Sequence, residues 1–288
     1  MCEVKIIEKT AKSALTKLKR KVPYGWDLNI YRGCQHGCQY CYALYSHRYM
    51  NSNDFFNEIH VKTNIVEELD RELSSENWKR EVINIGGVTD SYQPAEANFR
   101  LMPQILKLLI KYKTPAIIST KSDLVMRDYD LIDELSRITY VNIAATITTM
   151  DEDTQRKIEP GSSAVAKRFE MLKAFRKTNA STGLHLMPII PYITDDEHNF
   201  DSMFNMAEKV RVHYVLAGAL YLRGNTRENF FAFVQREYPD VYQKMLKLYK
   251  TGSAGKAYKT VLYEMVNRLR NKYGLSNSYI KPMREKIR

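Results

Sequence analysis

From Trp26 onward, six short apolar runs alternate with longer amphipathic ones, and this alternation constrains the fold more than any other feature of the chain. The apolar runs are WDLNIY (26–31), VINIGG (82–87), AIIST (116–120), YVNIAATI (140–147), GLHLMPII (183–190) and HYVLAGALYL (213–222). Between them lie NIVEELDRELSSENW (64–78), AEANFRLMPQILKLLIKY (95–112), DYDLIDELSR (128–137), AVAKRFEMLKAFRKT (164–178) and NFDSMFNMAEKV (199–210), which read as helices. Strand then helix, repeated in this way, predicts an α/β protein with a parallel sheet and right-handed crossovers. The spacing of about 25–45 residues per unit fits a partial parallel (βα)6 TIM-like barrel, with a doubly wound open sheet as the alternative. Pro103 predicts that the second helix kinks or starts late. Two further helices are expected after Asn225 and a last one near Lys256–Tyr273. In either architecture ligands gather at the carboxyl ends of the strands, and the unusual residues of this chain fall there.

The chain has 288 residues, 44% of them hydrophobic, enough to bury a substantial core. No apolar run approaches the roughly 20 residues of a membrane span. The N-terminus lacks the apolar stretch of a secretory signal, and four cysteines make no disulfide framework. A cytoplasmic protein with no membrane partner is expected. The net charge of +11 is uneven. Residues 1–32 carry eight Lys/Arg against three Asp/Glu, and residues 236–288 carry thirteen against four, whereas 33–235 is slightly acidic. This suggests a basic N-terminal arm (1–23), a barrel (24–224) and a basic helical C-terminal segment (225–288). Basic flanks suit a polyanion, nucleic acid (DNA or RNA) first; a solvated Lys-rich helical tail is the plainer reading. Tyr238, Tyr242, Tyr249, Tyr258 and Tyr263 could stack on bases, although their spacing suits helix packing better.

The loop YRGCQHGCQYCYA (31–43) gathers three of the four cysteines, Cys34, Cys38 and Cys41, directly after the first strand. Three thiolates on a tight loop can hold three corners of a [4Fe–4S] cubane, which normally takes four. The remaining iron would stay open, the mark of a catalytic rather than a structural metal site. Gly33 and Gly37 permit the backbone turns that bring the sulfurs together. The alternative is zinc, with His36 or a distant histidine as fourth ligand, in a non-catalytic, zinc-stabilised nucleic-acid binding protein. His36 lies inside the three-residue gap, where it could not easily share a tetrahedron with both neighbours.

GCQHGCQYCYA resembles the cluster-binding signature of the radical S-adenosylmethionine (radical SAM) superfamily, including the aromatic Tyr40 before the third cysteine. The resemblance implies an enzyme in which the amino and carboxylate groups of SAM chelate the fourth iron. An electron, from a donor such as flavodoxin or ferredoxin, then splits the sulfonium, and a 5′-deoxyadenosyl radical abstracts hydrogen from the substrate. VTDSYQPAE, ISTKSDLVMRDYDLI and TTMDEDTQRKIEPGSSAVAKRFEMLKAF further resemble the spore photoproduct lyase-like, DNA repair photolyase-type family. That likeness runs from about Tyr24 to Arg223 and implies a lyase acting in DNA repair.

Gly86 and Gly87, in GGVTD at the end of the second strand, resemble the family motif whose backbone receives the SAM amino group. Thr89 and Asp90 are candidates for the same contact or for capping the next helix. Ser119 and Lys121, at the end of the third strand, suit a carboxylate or ribose, and the resemblance assigns Lys121 to SAM. Thr146 and Thr148 could reach the ribose. Glu159 and Arg168 read as an ion pair fixing the loop over the barrel mouth. Met187–Tyr192 (MPIIPY) would pack the adenine or simply stiffen a loop. In the lyase mechanism a cysteine at the end of the second strand returns hydrogen through a tyrosine pair. Tyr40 and Tyr42 stand at the tyrosine places, but Gly87 stands at the cysteine's, and Cys2, in the N-terminal arm, has no assigned role. The departure implies another hydrogen donor, or consumption of SAM on a different substrate, a peptide or small metabolite being the alternative to nucleic acid. Tyr42 is the residue expected nearest the substrate.

Overall fold

The computed structural model describes residues 4–19, 22–50, 54–280 and 283, and Cys2 lies outside them. The described strands are β1 (Lys5–Lys9), β2 (Leu15–Lys17), β3 (Trp26–Leu28), β4 (Tyr31–Arg32), β5 (Glu58–Lys62), β6 (Ile83–Ile85), β7 (Ala116–Thr120), β8 (Val141–Thr146), β9 (Ser181–Ile189) and β10 (Tyr214–Ala219). β3, β6, β7, β8, β9 and β10 pair in that order, all parallel, and correspond to the six apolar runs. β2 adds antiparallel to β3, so the sheet ends in β2 on one side and β10 on the other and does not close. This is the partial (βα)6 barrel expected from the alternation. Parallel strands covered on both sides are apolar along their whole length, and every residue of β8 is buried.

The described helices are α1 (Ile65–Leu73), α2 (Ala95–Phe99), α3 (Leu101–Lys111), α4 (Tyr129–Ile138), α5 (Glu152–Ile158), α6 (Val165–Phe175), α7 (Glu197–Lys209), α8 (Asn225–Glu237), α9 (Pro239–Leu248) and α10 (Lys256–Lys272). The expected helix over 95–112 breaks at Arg100, which has φ +48°, and α3 restarts with Pro103 in its first turn, where a missing N–H leaves no bond unmade. The buried Glu96 carboxylate accepts from the Leu101 and Met102 backbone N–H groups at 3.2 and 2.9 Å, and from Tyr31 Oη at 2.5 Å. One acidic side chain therefore caps α3 and ties it to the strand that precedes the cysteine loop.

The segments outside the alternating pattern are also packed. β1 pairs parallel with β5, and β4 antiparallel with β5, in a separate three-stranded sheet. α10 buries Leu262, Val266 and Leu269 in the main core, and its last turn reaches Asp201 of α7 through Lys272 at 2.6 Å. The chain then passes the base of the barrel, where Val215 N–H donates to Ser276 O at 2.8 Å and Tyr279, Ile280 and Met283 pack with Val82, Ile117 and Tyr140. No described helix is long and apolar enough to cross a membrane.

Candidate active site

The cysteine loop leaves β4 through Gly33, whose φ of +83° is open to glycine and strained for other residues. A β-carbon there would lie 2.4 Å from Glu58 O. Backbone bonds then shape the loop. Cys34 N donates to Phe55 O at 3.0 Å, Cys41 N to Cys38 O at 3.0 Å, and Gln39 N to Ile158 O at 3.0 Å. Gly161 N donates to His36 O at 2.9 Å, and a β-carbon on Gly161 would lie 2.2 Å from Gln35 O. The loop is thus clamped between β5 and the turn after α5.

Side chains hold it from below. Thr89 Oγ1 donates to Gly33 O at 2.7 Å, and the fully buried Gln93 donates to the same oxygen at 3.2 Å while accepting from Gln35 N at 3.0 Å. Asp90 accepts from Tyr92 N, Thr120 Oγ1 and Lys121 N at 2.8–2.9 Å and faces His36 Nδ1 at 3.2 Å. Burial opposes the Asp90 charge, but His36 and these bonds hold its pKa down at about 2. Burial also opposes the His36 charge; Asp90 and Cys34 outweigh it and push His36 up to about 10. Asp90 caps neither α2 nor α3; it closes the turn ahead of them.

Cys34, Cys38 and Cys41 carry free thiols and line one cavity of about 630 Å3. Gly86, Gly87, Ser119, Lys121 and Thr146, from the carboxyl ends of β6, β7 and β8, line it with them. Lys121 Nζ stands 5.7 Å from the Tyr40 ring centroid. Burial works against its charge, yet the Cys38, Glu159 and Asp90 groups around it raise its pKa. Burial, then the Cys34 charge, pushes the Cys41 thiol up to about 12, and burial raises Cys38 well above the ordinary thiol range. Such thiols ionise when they bind a metal.

The donor set fits a cubane. Among the described residues no three His, Cys, Asp or Glu side chains converge to hold a single metal ion, whereas a cubane offers a separate iron to each thiolate. His36 faces Asp90 at 3.2 Å and also meets the Cys34 thiol.

Tyr40 lines the cavity with its ring, while its hydroxyl donates to the buried Glu159. Glu159 also receives Thr148 Oγ1 at 3.1 Å and pairs with the equally buried Arg168 at 2.7 Å, the ion pair expected from the sequence. Thr148 is thus taken up by Glu159. It does not line the cavity, because β8 ends at Thr146, where Arg168 binds the carbonyl at 2.7 Å, and the chain beyond turns back to Glu159. Thr89 and Asp90 border the cavity, but their polar atoms are committed to the loop. Tyr42 is 61% exposed at the rim, its hydroxyl donating to Gly87 O.

Several site residues escaped sequence reasoning. His185 and Tyr221, from β9 and the end of β10, line the cavity. The C-terminal segment reaches the loop as well: Thr226 Oγ1 donates to Cys41 O at 3.0 Å, and Phe230, Phe231 and Phe233 of α8 pack in one cluster with Cys38 and Tyr40. The run FFAF was the available signal, though nothing local says what it covers.

Residues 28–203 match the Radical SAM superfamily. An uncharacterized protein of Mycobacterium tuberculosis is 32% identical over 94% of this chain and 82% of its own length. Another, from Methanocaldococcus jannaschii, is 28% identical over 91% of this chain and 95% of its own. Spore photoproduct lyase complexed with dinucleoside spore photoproduct superposes with a TM-score of 0.68 at 12% identity, covering 93% of this chain and 79% of that one. The chain belongs to the radical SAM superfamily and has a fold like that of spore photoproduct lyase. Membership implies a [4Fe–4S] cluster and SAM, which the three thiols and the adjoining cavity suit.

Proposed function

We propose that this radical SAM enzyme reductively cleaves SAM at a [4Fe–4S] cluster on Cys34, Cys38 and Cys41 and acts on nucleic acid, in repair or base modification. The observation that carries the reading is the meeting of three free thiols, the charged Lys121 and the Gly86–Gly87 strand end in one cavity. The bound cluster and SAM supply hydrogen-abstracting chemistry once an electron arrives from a donor such as flavodoxin or ferredoxin. The chain's own residues bind and orient. Lys121 would meet the carboxylate of the cofactor by a charge-assisted hydrogen bond, the Gly86–Gly87 backbone would receive its amino group, and Ser119 would serve the ribose. Tyr42, exposed at the rim with its hydroxyl on Gly87 O, would be the side chain nearest the substrate.

A β-carbon on Gly87 would lie 2.9 Å from the Asp27 carboxylate. A thiol at that strand end would therefore require Asp27 to move, which separates this chain from the spore lyase chemistry. Nucleic acid is supported by the positive charge of the terminal segments.

The test is anaerobic. Protein reconstituted with iron and sulfide, given dithionite and SAM, should release 5′-deoxyadenosine, and Cys38→Ala should release none. No product from iron-loaded protein overturns the enzymatic reading. For the substrate, binding to DNA or RNA should weaken steeply with salt; no affinity at low salt overturns the nucleic-acid part alone.

A further inference from the structure

Side chains alternate along a strand, so the register of the three-stranded sheet decides which residues share a face. Ile59 and Val61 of β5 turn to the main core, fully buried. His60 and Lys62 therefore turn the other way. Lys9 of β1 pairs directly with Lys62, and Arg32 of β4 pairs with His60, one step along the same face. Three cations, one from each strand, thus form a row across this sheet.

Like charges placed opposite one another on neighbouring strands destabilise the pairing, and among the described residues no ion pair to these three cations offsets it. No described carboxylate lies within ion-pairing distance of Lys9, Arg32 or Lys62. Glu58, at the far end of β5, is turned to His60 at 2.9 Å instead. Arg32 and Lys62 are half-buried. Burial, with Arg32 adding to it, brings the Lys62 pKa down to about 8. The fold holds charge here that an outside anion would relieve.

The row adjoins the cavity. Arg32 leads straight into Gly33 and Cys34, and the 3-10 segment Tyr42–Met50 begins at the cavity rim and reaches the sheet face, where the His47 and His60 rings meet at 5.6 Å. Neighbouring strands lie about 4.8 Å apart and Arg32 is offset by two residues of about 3.3 Å each, so the row spans roughly 12 Å. One small anion cannot meet all three cations, whereas a chain of phosphates can.

We propose that the face bearing Lys9, Arg32 and Lys62 docks the phosphate backbone of nucleic acid beside the active-site cavity. The proposal rests on the nucleic-acid reading above and assigns that substrate its docking surface.

The test compares the wild-type protein, a Lys9→Gln/Arg32→Gln/Lys62→Gln variant and a control Lys107→Gln/Lys173→Gln/Lys177→Gln variant, whose exposed lysines lie outside the basic terminal segments, each reconstituted with the cluster. Anisotropy of labelled single- and double-stranded DNA and RNA is followed across a salt titration. The sheet variant should bind at least tenfold more weakly at low salt, with the slope of log K against log salt reduced by about two to three. The control should lose distinctly less for the same change in charge. Because the sheet variant removes like-charge repulsion, its melting temperature should equal or exceed that of the wild type, which separates lost binding from lost folding.

Wild-type binding with no loss in the sheet variant, or equal loss in the control, overturns this proposal and leaves the functional reading standing. No binding of any nucleic acid by the wild type overturns both. Binding to anionic lipid vesicles in place of DNA and RNA also overturns it.

Discussion

Gly33 is the residue on which the cysteine loop turns. Its positive φ costs a β-substituted residue about 1–2 kcal/mol, and the added carbon would press into Glu58 O. Gly33→Ala should fold with a lowered melting temperature and take up less than half the wild-type iron, read as iron per chain after reconstitution. His185 sets a pH dependence. Burial, then the Lys121 charge, lowers its pKa to about 4, against an ordinary value of about 6.5. Between those values the unfolded chain binds a proton that the folded chain does not, so stability falls as pH drops through that window and is untouched above about 7. The effect should be about 2 kcal/mol, less than the full shift would give because the ring borders the cavity. Denaturant melts at pH 7.5 and 4.5 should show it, and His185→Gln should flatten the difference.

At the scale of elements, the turn between α5 and α6 is a clamp. Arg168 binds Ser163 O at 2.8 Å and Thr146 O and Glu159 at 2.7 Å, with no side-chain exposure at either end of the ion pair. Removing one partner of a buried pair strands the other charge, which costs about 3–5 kcal/mol. Arg168→Met should lose that much in chemical denaturation, and the Glu159→Gln/Arg168→Met double variant should recover part of it. Simple addition of the two single losses would show that the residues act separately. Glu159 also holds the Tyr40 hydroxyl, so the single variant should reduce iron uptake too.

For the whole molecule, the C-terminal segment is a working part of the barrel. α8 covers the cysteine loop, α10 joins the helical layer, and Tyr279, Ile280 and Met283 close the base. A chain ending at Leu275 should uncover Val82, Ile117 and Tyr140, lose more than about 3 kcal/mol, and bind a dye for exposed apolar surface. A melting temperature within a degree of the full chain would show that the base needs no cover.

What could be read before folding was whatever is periodic or closely spaced. The six apolar runs became six parallel strands because alternation between short apolar and long amphipathic segments is a local property with few packing solutions. Cys34, Cys38 and Cys41 lie within eight residues, so their grouping was legible as well, as was the break near Pro103. The division of labour among the polar residues was not. Thr146 and Thr148 look interchangeable along the chain, and only the end of β8 and the reach of Arg168 send one to the cavity and the other to Glu159. Thr89 and Asp90 read as ligand contacts, yet their partners, Gly33, Thr120 and Lys121, are 30 to 56 residues away. Thr226 meets Cys41 across 185 residues, and the cation row draws Lys9, Arg32 and Lys62 from three strands. Spacing along a chain determines which groups are available; the packing of strands and helices decides which of them meet, because hydrogen bonds and charges act over a few ångströms of space whatever the distance in sequence.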